Sequence, residues 1–188
     1  MNDFLQDDYK VPSKADGYMK LQQGDNRLRI MGRPIIGYEY WLDTPEGGRK
    51  PVRIRMNEKV PMDIPEPEKV KHFWAMVVWD YEGKQFKILE LTQKGIQKTI
   101  TGLSRDKDWG TPLNYDLVIN KTGEKMETEY QVVPKPAKGL DETILKAYKA
   151  LEINLEALYE GKDPFTSNES VEASGLLDED ILPEEVKV

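Results

Sequence analysis

The sequence predicts a mostly β domain with few helices, and three observations lead to that class. Polar and apolar residues alternate in several short segments, which is the pattern of half-buried strands. Turn signals such as TPEGG at 44–48 separate these segments. Helical stripes of apolar residues occur only before the last two strand segments and after them.

The predicted strands follow one another closely along the chain. In NRLRIM at 26–31, Leu28 and Ile30 point to one face, whereas Arg27 and Arg29 point to the other. The predicted strands are the segments 26–31, 35–42, 49–55, 72–81, 86–91, 115–120 and 128–133. The last four of these segments are predicted to form two hairpins.

Two helices complete the predicted order of elements. The first covers residues 93–103, and the second covers 141–160 with six apolar residues on one side. One helix before the last two of about five strands is typical of the OB-fold, a partly open Greek-key barrel of five strands. A different α+β sheet shares this order, so the order favours the OB-fold without excluding that sheet.

The chain is predicted to divide into four regions. Residues 1–20 lack periodicity and are interpreted as a flexible N-terminal arm. Residues 21–138 hold the OB-fold domain, and residues 139–160 form a helical extension. Residues 161–188 are rich in Ser, Gly and acids and are predicted to be a disordered acidic tail.

The composition excludes several kinds of chemistry. The 188 residues carry a formal net charge of −7 and contain no Cys, which excludes disulfides, thiol nucleophiles and cysteine-bound zinc. The single histidine, His72, is interpreted as a polar residue or a phosphate contact rather than a catalytic base. Phosphate-binding loops, nucleophile elbows and zinc-protease motifs are missing from the sequence. We therefore expect no enzyme activity, no cofactor and no metal.

The sequence also bears on location. No apolar run approaches the roughly 20 residues that a membrane-spanning helix needs. The first residues, MNDFLQDDYK, are acidic and unlike a signal peptide. We therefore expect a cytoplasmic protein without membrane contact.

Charge is distributed unevenly along the chain. Residues 20–138 contain 21 basic and 17 acidic residues, whereas residues 161–188 contain 2 basic and 8 acidic residues. A mildly basic body followed by an acidic tail indicates nucleic-acid binding. An acidic tail that only increases solubility would give the same pattern.

Single-strand binding requires cations that follow the phosphates and aromatic faces that stack on unpaired bases. The chain interleaves the two kinds of residue. Arg49, Arg53 and Arg55 share one face of their strand, and a solvated face would more often mix charges of both signs. The predicted DNA-binding residues are Arg27, Arg29, Tyr38, Tyr40, Trp41, Arg49, Arg53, Arg55, Lys71, His72, Trp74 and Lys94.

Alternation within 72–81 separates two sets of side chains. The set that begins with His72 and ends with Asp80 is polar at both ends, so we expect it to face the ligand. This interpretation makes Trp74 a stacking residue and places Trp79 in the core.

The tail mixes acids with aliphatic residues in LLDEDILPEEVKV at 176–188. Such a segment can fold back on a cationic groove and mimic nucleic acid, or dock in a groove of a partner protein. The predicted partner-binding residues are Asp178, Glu179, Asp180, Ile181 and Leu182.

Three runs of the sequence resemble a known family. They are GDNRLRIMGRPIIGYEYW, KHFWAMVVWDYEGKQFKILELTQKGIQKTI and DWGTPLNYDLVINKTGEKMETEYQVVP. Together they cover roughly residues 24–135 and resemble phage-encoded single-stranded DNA-binding proteins of the OB-fold type. The WDY and LELTQK…IQK elements of the middle run are the specific part.

The resemblance implies a protein that coats single-stranded DNA during phage DNA replication, recombination and repair. It also implies that the acidic tail recruits phage replication and recombination proteins, in the cytoplasm of the infected bacterial host. Some relatives hold a structural zinc with cysteines. This chain has no Cys, so the zinc is not carried over.

Three alternatives stay open at this point. The same aromatic surface serves a protein-interaction or assembly module. It also serves RNA binding, since only contacts to the 2′-hydroxyl distinguish RNA from DNA. A small hydrolase could use a divalent metal at Asp106 and Asp108. The oligomeric state is open too, because the helix at 141–160 packs equally well on its own barrel or on a neighbour's.

Overall fold

The structure, a computed structural model, describes residues 17–165, and its main element is a seven-stranded antiparallel sheet. Two α-helices accompany the sheet, α1 at Lys94–Arg105 and α2 at Glu142–Lys149. The strands are β1 (Gly24–Ile30), β2 (Ile35–Asp43), β3 (Arg49–Arg55), β4 (Lys71–Asp80), β5 (Gln85–Leu91), β6 (Leu117–Thr122) and β7 (Glu129–Pro134).

β4 organises the sheet because it pairs along both of its edges. β5 pairs with one edge, while β2 and β1 share the other in the registers Ile35↔Ala75 and Arg29↔Trp79. The hydrogen-bonded path runs β3-β2-β4-β1-β6-β7, and β5 branches from β4. Among the described residues the sheet does not close into a barrel.

These elements confirm the prediction of a mostly β domain, and the sheet has seven strands, two more than the five of an OB-fold barrel. Gly32 and Pro34 lie between β1 and β2 and separate them, since proline has no N–H for the ladder. β3 then adds a further hairpin on β2. α1 does lie between β5 and β6, as predicted.

Both faces of β4 are covered at its centre. The larger core lies on one face and includes Met76 and Val78 of β4, with Ile96 and Ile100 of α1 packed in the same cluster. A smaller core lies on the other face. Its buried members are Phe73, Ala75, Ile88 and Leu158, and Tyr18, Ile35, Ile153, Leu155, Tyr159 and Phe165 pack against them. Residues 151–165 therefore cover part of the second face.

The predicted helix at 141–160 is divided in two. α2 begins after Asp141, whose side chain accepts a hydrogen bond from the Thr143 N–H at 2.7 Å. A 3₁₀ turn follows at Leu155–Glu160, after an extended stretch in which Asn154 N–H donates to the Pro164 carbonyl. The break lets Leu158 reach the sheet, where it is 3% exposed, whereas α2 has no buried residue.

The predicted N-terminal arm overlaps the described residues only at 17–20. There Tyr18 bridges to Ile88 in parallel, and Met19 belongs to the larger core. These residues are therefore part of the folded body. No helix in residues 17–165 combines the length and the apolar character that crossing a membrane would require.

Candidate nucleic-acid interface

The arginines of β3 lie on one face, as predicted, and each is paired with carboxylates. The register places Arg53 opposite Glu39 and Arg49 opposite Asp43, so the acids of β2 share the arginines' face. Arg49 Nε lies 3.2 Å from the Asp43 carboxylate. The row is therefore a cross-strand ladder of ion pairs.

Arg53 is the most enclosed of the three arginines. Its Nε lies 2.9 Å from Glu39, and its Nη2 donates to both carboxylate oxygens of Glu90 at 2.9 and 3.0 Å. The Arg53 side chain is only 9% exposed. Burial raises the pKa of the Glu90 carboxyl, and Glu39 adds to this effect while Arg53 opposes it. Breaking a buried ion pair leaves a charge without a partner, which is strongly destabilising. Arg53 therefore has a structural role.

Arg55 lies at the end of the ladder and is held by the C-terminal segment. Its Nη2 donates to Glu156 at 3.0 Å, and its guanidinium lies 4.5 Å from the centre of the Tyr159 ring. Tyr159 in turn donates its hydroxyl hydrogen to the Ile36 carbonyl at 2.7 Å. Arg55 is exposed, and it shares its charge with an acid, as Arg49 does.

The arginines of β1 converge on a buried carboxylate that the sequence analysis did not single out. Asp116, fully buried, accepts from Arg27 at 2.7 Å, from Arg29 at 2.8 Å and from the Tyr81 hydroxyl at 2.8 Å. Arg29 is itself 2% exposed. The prediction that Arg27 and Arg29 share an exposed face is therefore wrong for Arg29. The sequence around Arg27 and Arg29 gives no sign of this cluster, because Asp116 lies far away along the chain.

The cluster changes the acid–base behaviour of its members. Burial alone would raise the pKa of Asp116, but hydrogen bonds from Arg27, Tyr81 and Arg29 hold it below the usual value. Burial, together with the hydrogen bond to Asp116, raises the pKa of Tyr81 to about 12.

We expect the Tyr81 phenol to titrate separately from the exposed tyrosines. A raised pKa stabilises the fold fully below the unfolded-state pKa of about 10, and this contribution is lost as the pH rises through about 12. Tyrosinate absorbance during a pH titration of wild type and Tyr81→Phe should differ by one late-titrating group. An unchanged curve above pH 10 would contradict the assignment.

The prediction that one face of β4 is open to a ligand is wrong, because the central side chains of that face pack in the larger core. Trp74 packs against that core, and its Nε1–H donates to His72 Nε2 at 3.0 Å. His72 Nδ1 lies 2.8 Å from the Gly37 carbonyl. Since an indole N–H only donates, Nε2 accepts, and the proton of the neutral ring lies on Nδ1. Trp79, predicted as a core residue, is half-buried and packs edge-on against Phe86.

Four of the predicted binding residues meet in one pocket at the end of β2. We call it the Trp41 pocket, a cavity of about 340 Å³ lined by Tyr40, Trp41, Arg49, Ile64, Pro65, Glu66, Lys69 and Lys71. Trp41 is 46% exposed, while Tyr40 is 8% exposed. The pocket therefore offers a large aromatic face next to solvent.

Three cationic side chains and one anionic side chain line the Trp41 pocket, which gives it a net charge of +2. Lys71 begins β4 and is exposed. Lys69 ends the 3₁₀ turn at Pro67–Lys69, and its side chain is 58% exposed. Lys69 and Glu66 are not among the predicted binding residues, because the prolines of 61–67 indicate a loop but not its path across the end of the sheet.

The other predicted residues lie outside this pocket. The Tyr38 ring is 5.8 Å from that of His72, and Lys94 is exposed at the start of α1. The predicted partner-binding residues of the tail, Asp178 to Leu182, lie outside the described residues. Within residues 17–165, no group of three or more His, Asp or Glu side chains is placed to hold a metal ion.

The sequence is similar to that of a curated phage protein. The chain is 26% identical over 140 residues to the "Probable ssDNA-binding protein" of Escherichia phage T5. The aligned part covers 61% of this chain and 53% of that protein, so the chain spans about half the length of this relative. No protein-family model matches the chain, and no solved structure matches it.

Proposed function

We propose that this protein binds single-stranded DNA without general sequence preference and that the Trp41 pocket holds an unpaired base. The observation that carries the proposal is the exposed Trp41 face beside Arg49, Lys69 and Lys71. The similarity to the phage T5 protein supports it. Stacking on an aromatic face, with cations at the backbone, is how proteins bind single strands of any sequence.

The proposed interface keeps Trp41, Arg49 and Lys71 from the sequence prediction and adds Lys69, while Tyr40 is 8% exposed and only lines the pocket. It leaves out Arg29, Arg53 and Trp74, since their side chains are committed to buried contacts. The exposed residues Arg27, Arg55 and Lys94 extend the interface only if the bound strand continues past the pocket.

An OB-fold architecture is part of the proposal. A helix between β5 and β6, and β6 paired with β1, support it. In this assignment β1 and β2 form the first barrel strand, and the β3 hairpin is an addition to it. The sheet, which does not close, then corresponds to a partly open barrel.

The biological role we propose is that of a phage protein that coats and protects single strands during DNA replication, recombination and repair in the host cytoplasm. It acts by binding and not by catalysis, and it needs no cofactor. The acidic tail, with Asp178–Leu182, recruits replication and recombination proteins. Self-association is compatible with this role.

Replacing Lys69 and Lys71 together by alanine should weaken binding to all single strands and reduce its salt dependence. Each lost phosphate contact lowers the slope of log K against log salt by about 0.7, so the double variant should lose about 1.4. The measurement is the affinity for a mixed-sequence single strand over a range of salt concentrations.

The matched control is the double variant Lys146→Ala and Lys149→Ala in α2, which removes the same charge away from the pocket. It should lower the slope by less than the pocket variant. Equal slopes for the two variants would show that the pocket lysines make no specific phosphate contact.

A further inference from the structure

The Trp41 pocket contains a carboxylate, which general single-strand binding does not need. Glu66 lines the pocket together with Trp41 and the cations. Its Oε2 accepts a hydrogen bond from Arg49 Nη2 at 3.1 Å, and its Oε1 accepts one from Lys69 Nζ. A negative group in a site for a polyanion is unfavourable unless it interacts with something other than phosphate.

Glu66 keeps acceptor capacity after these two contacts. An ionised carboxylate has two oxygens with about four lone-pair sites and accepts only. One contact on each oxygen leaves both oxygens able to accept another hydrogen bond. The hydrogen bond from Lys69 lowers the pKa of the Glu66 carboxyl, and Arg49 adds to this effect, so the group is ionised at neutral pH. The side chain is 38% exposed and within reach of a ligand in the pocket.

The four bases differ in what they offer to such an acceptor. The Watson–Crick edges of bases in single strands are free for protein contacts. Guanine presents two adjacent donors there, N1–H and the 2-amino group, which match the two oxygens of a carboxylate. Adenine and cytosine present an amino group beside a ring acceptor. Thymine presents one N–H between two carbonyl oxygens, which a carboxylate repels.

We propose that Glu66 makes the Trp41 pocket selective for guanine. A guanine base stacks on Trp41 and donates from N1 and its 2-amino group to the two Glu66 oxygens, while Arg49, Lys69 and Lys71 hold the adjoining phosphates. The selectivity acts at one nucleotide of the bound strand, and the rest of the strand is bound without regard to sequence. This inference rests on the proposed single-strand binding.

Glu66 also fixes the side chains of Arg49 and Lys69, and this positioning role makes a different prediction. If positioning were its only role, replacing Glu66 would change the affinity for every strand by the same factor. The ratio between strands that differ in one base would not change. That ratio is therefore the informative measurement.

The test uses short thymidine oligonucleotides in which one central residue is dG, deoxyinosine, dA, dC or dT. Affinities are measured by fluorescence anisotropy with the full-length protein. A bidentate contact to a base edge is worth about 1–3 kcal/mol, so dG should bind at least about fivefold more tightly than dT. Deoxyinosine keeps N1–H but lacks the 2-amino group and should lie between them.

The variant Glu66→Gln should bring the ratio of dG to dT affinity close to one, since an amide offers one acceptor and one donor instead of two acceptors. The matched control is Glu58→Gln, which removes a carboxylate paired with Arg55 outside the pocket. This control should keep the wild-type ratio.

Equal affinity of the wild type for all five strands would overturn guanine selection but leave single-strand binding intact. A preference for dG that survives in Glu66→Gln would also overturn it. No measurable binding to any strand at low salt would instead overturn the proposed function itself.

Discussion

Replacing Asp116 by asparagine should lower the free energy of unfolding by about 3–5 kcal/mol, the usual cost of leaving a buried charge without its partner. The variant keeps the shape of the side chain but removes the charge that Arg27, Arg29 and Tyr81 share. Arg29 is 2% exposed, so its charge would lose its carboxylate partner while staying largely out of contact with water. Urea denaturation followed by circular dichroism measures the effect.

The matched control for this variant is Asp108→Asn, at an exposed position. It should change stability by less than about 0.5 kcal/mol, as surface substitutions do. The two variants should also differ at low pH. The pKa of Asp116 is lowered in the fold, so its contribution is present above about pH 4 and is lost as the pH falls through the folded-state value. A small effect of Asp116→Asn would contradict the role of this cluster as a structural centre.

Replacing Trp41 by alanine should weaken single-strand binding by about 1–3 kcal/mol, the range for one base stacked on an aromatic side chain. In affinity this is a loss of about fivefold to 150-fold. The salt slope should change little, because no phosphate contact is removed. Trp41 is 46% exposed, so the fold should not depend on it.

The matched control for this second variant is Trp109→Ala. Trp109 is also exposed, at 37%, but it packs on Tyr115 away from the pocket. It should leave affinity unchanged within about twofold if the pocket carries the stacking. Equal losses for the two tryptophan variants would place the stacking surface elsewhere.

Local patterns predicted the strands well, because each strand has its own alternation and its own turn signals. The hairpin β4–β5 and helix α1 were predictable from residues within a few positions of one another. The prediction of one helix at 141–160 failed because this segment is shaped by contacts with residues that are distant in sequence. Its apolar residues fit one helical stripe, but Leu158 packs instead against Phe73 and Ile88, which are distant in sequence.

The site was less predictable than the fold, since its residues are defined by partners on other strands. The row of Arg49, Arg53 and Arg55 is visible in the sequence, but its neutralisation depends on the β2–β3 register. Asp43 and Glu39 are spaced so that they lie on one face of β2. Only the pairing register of β2 with β3 shows that this face is the one that carries the arginines. The contact between Arg29 and Asp116 joins β1 to the start of β6 and leaves no local signal.

Trp74 shows the limit of assigning a face by alternation alone. β4 is covered on both sides, by α1 and by residues 151–165, so neither set of its central side chains is open. Trp41 is exposed near the end of β2, but nothing in the local sequence indicates that the loop containing Glu66 and Lys69 completes a pocket around it.

The most direct test of the central claim is a tryptophan fluorescence titration with a mixed-sequence single strand at two salt concentrations, with a matched duplex for comparison. The account predicts strong quenching by the single strand, weaker binding at higher salt and a much smaller effect of the duplex, with most of the quenching lost in Trp41→Ala. Absence of quenching and of binding at low salt would contradict it.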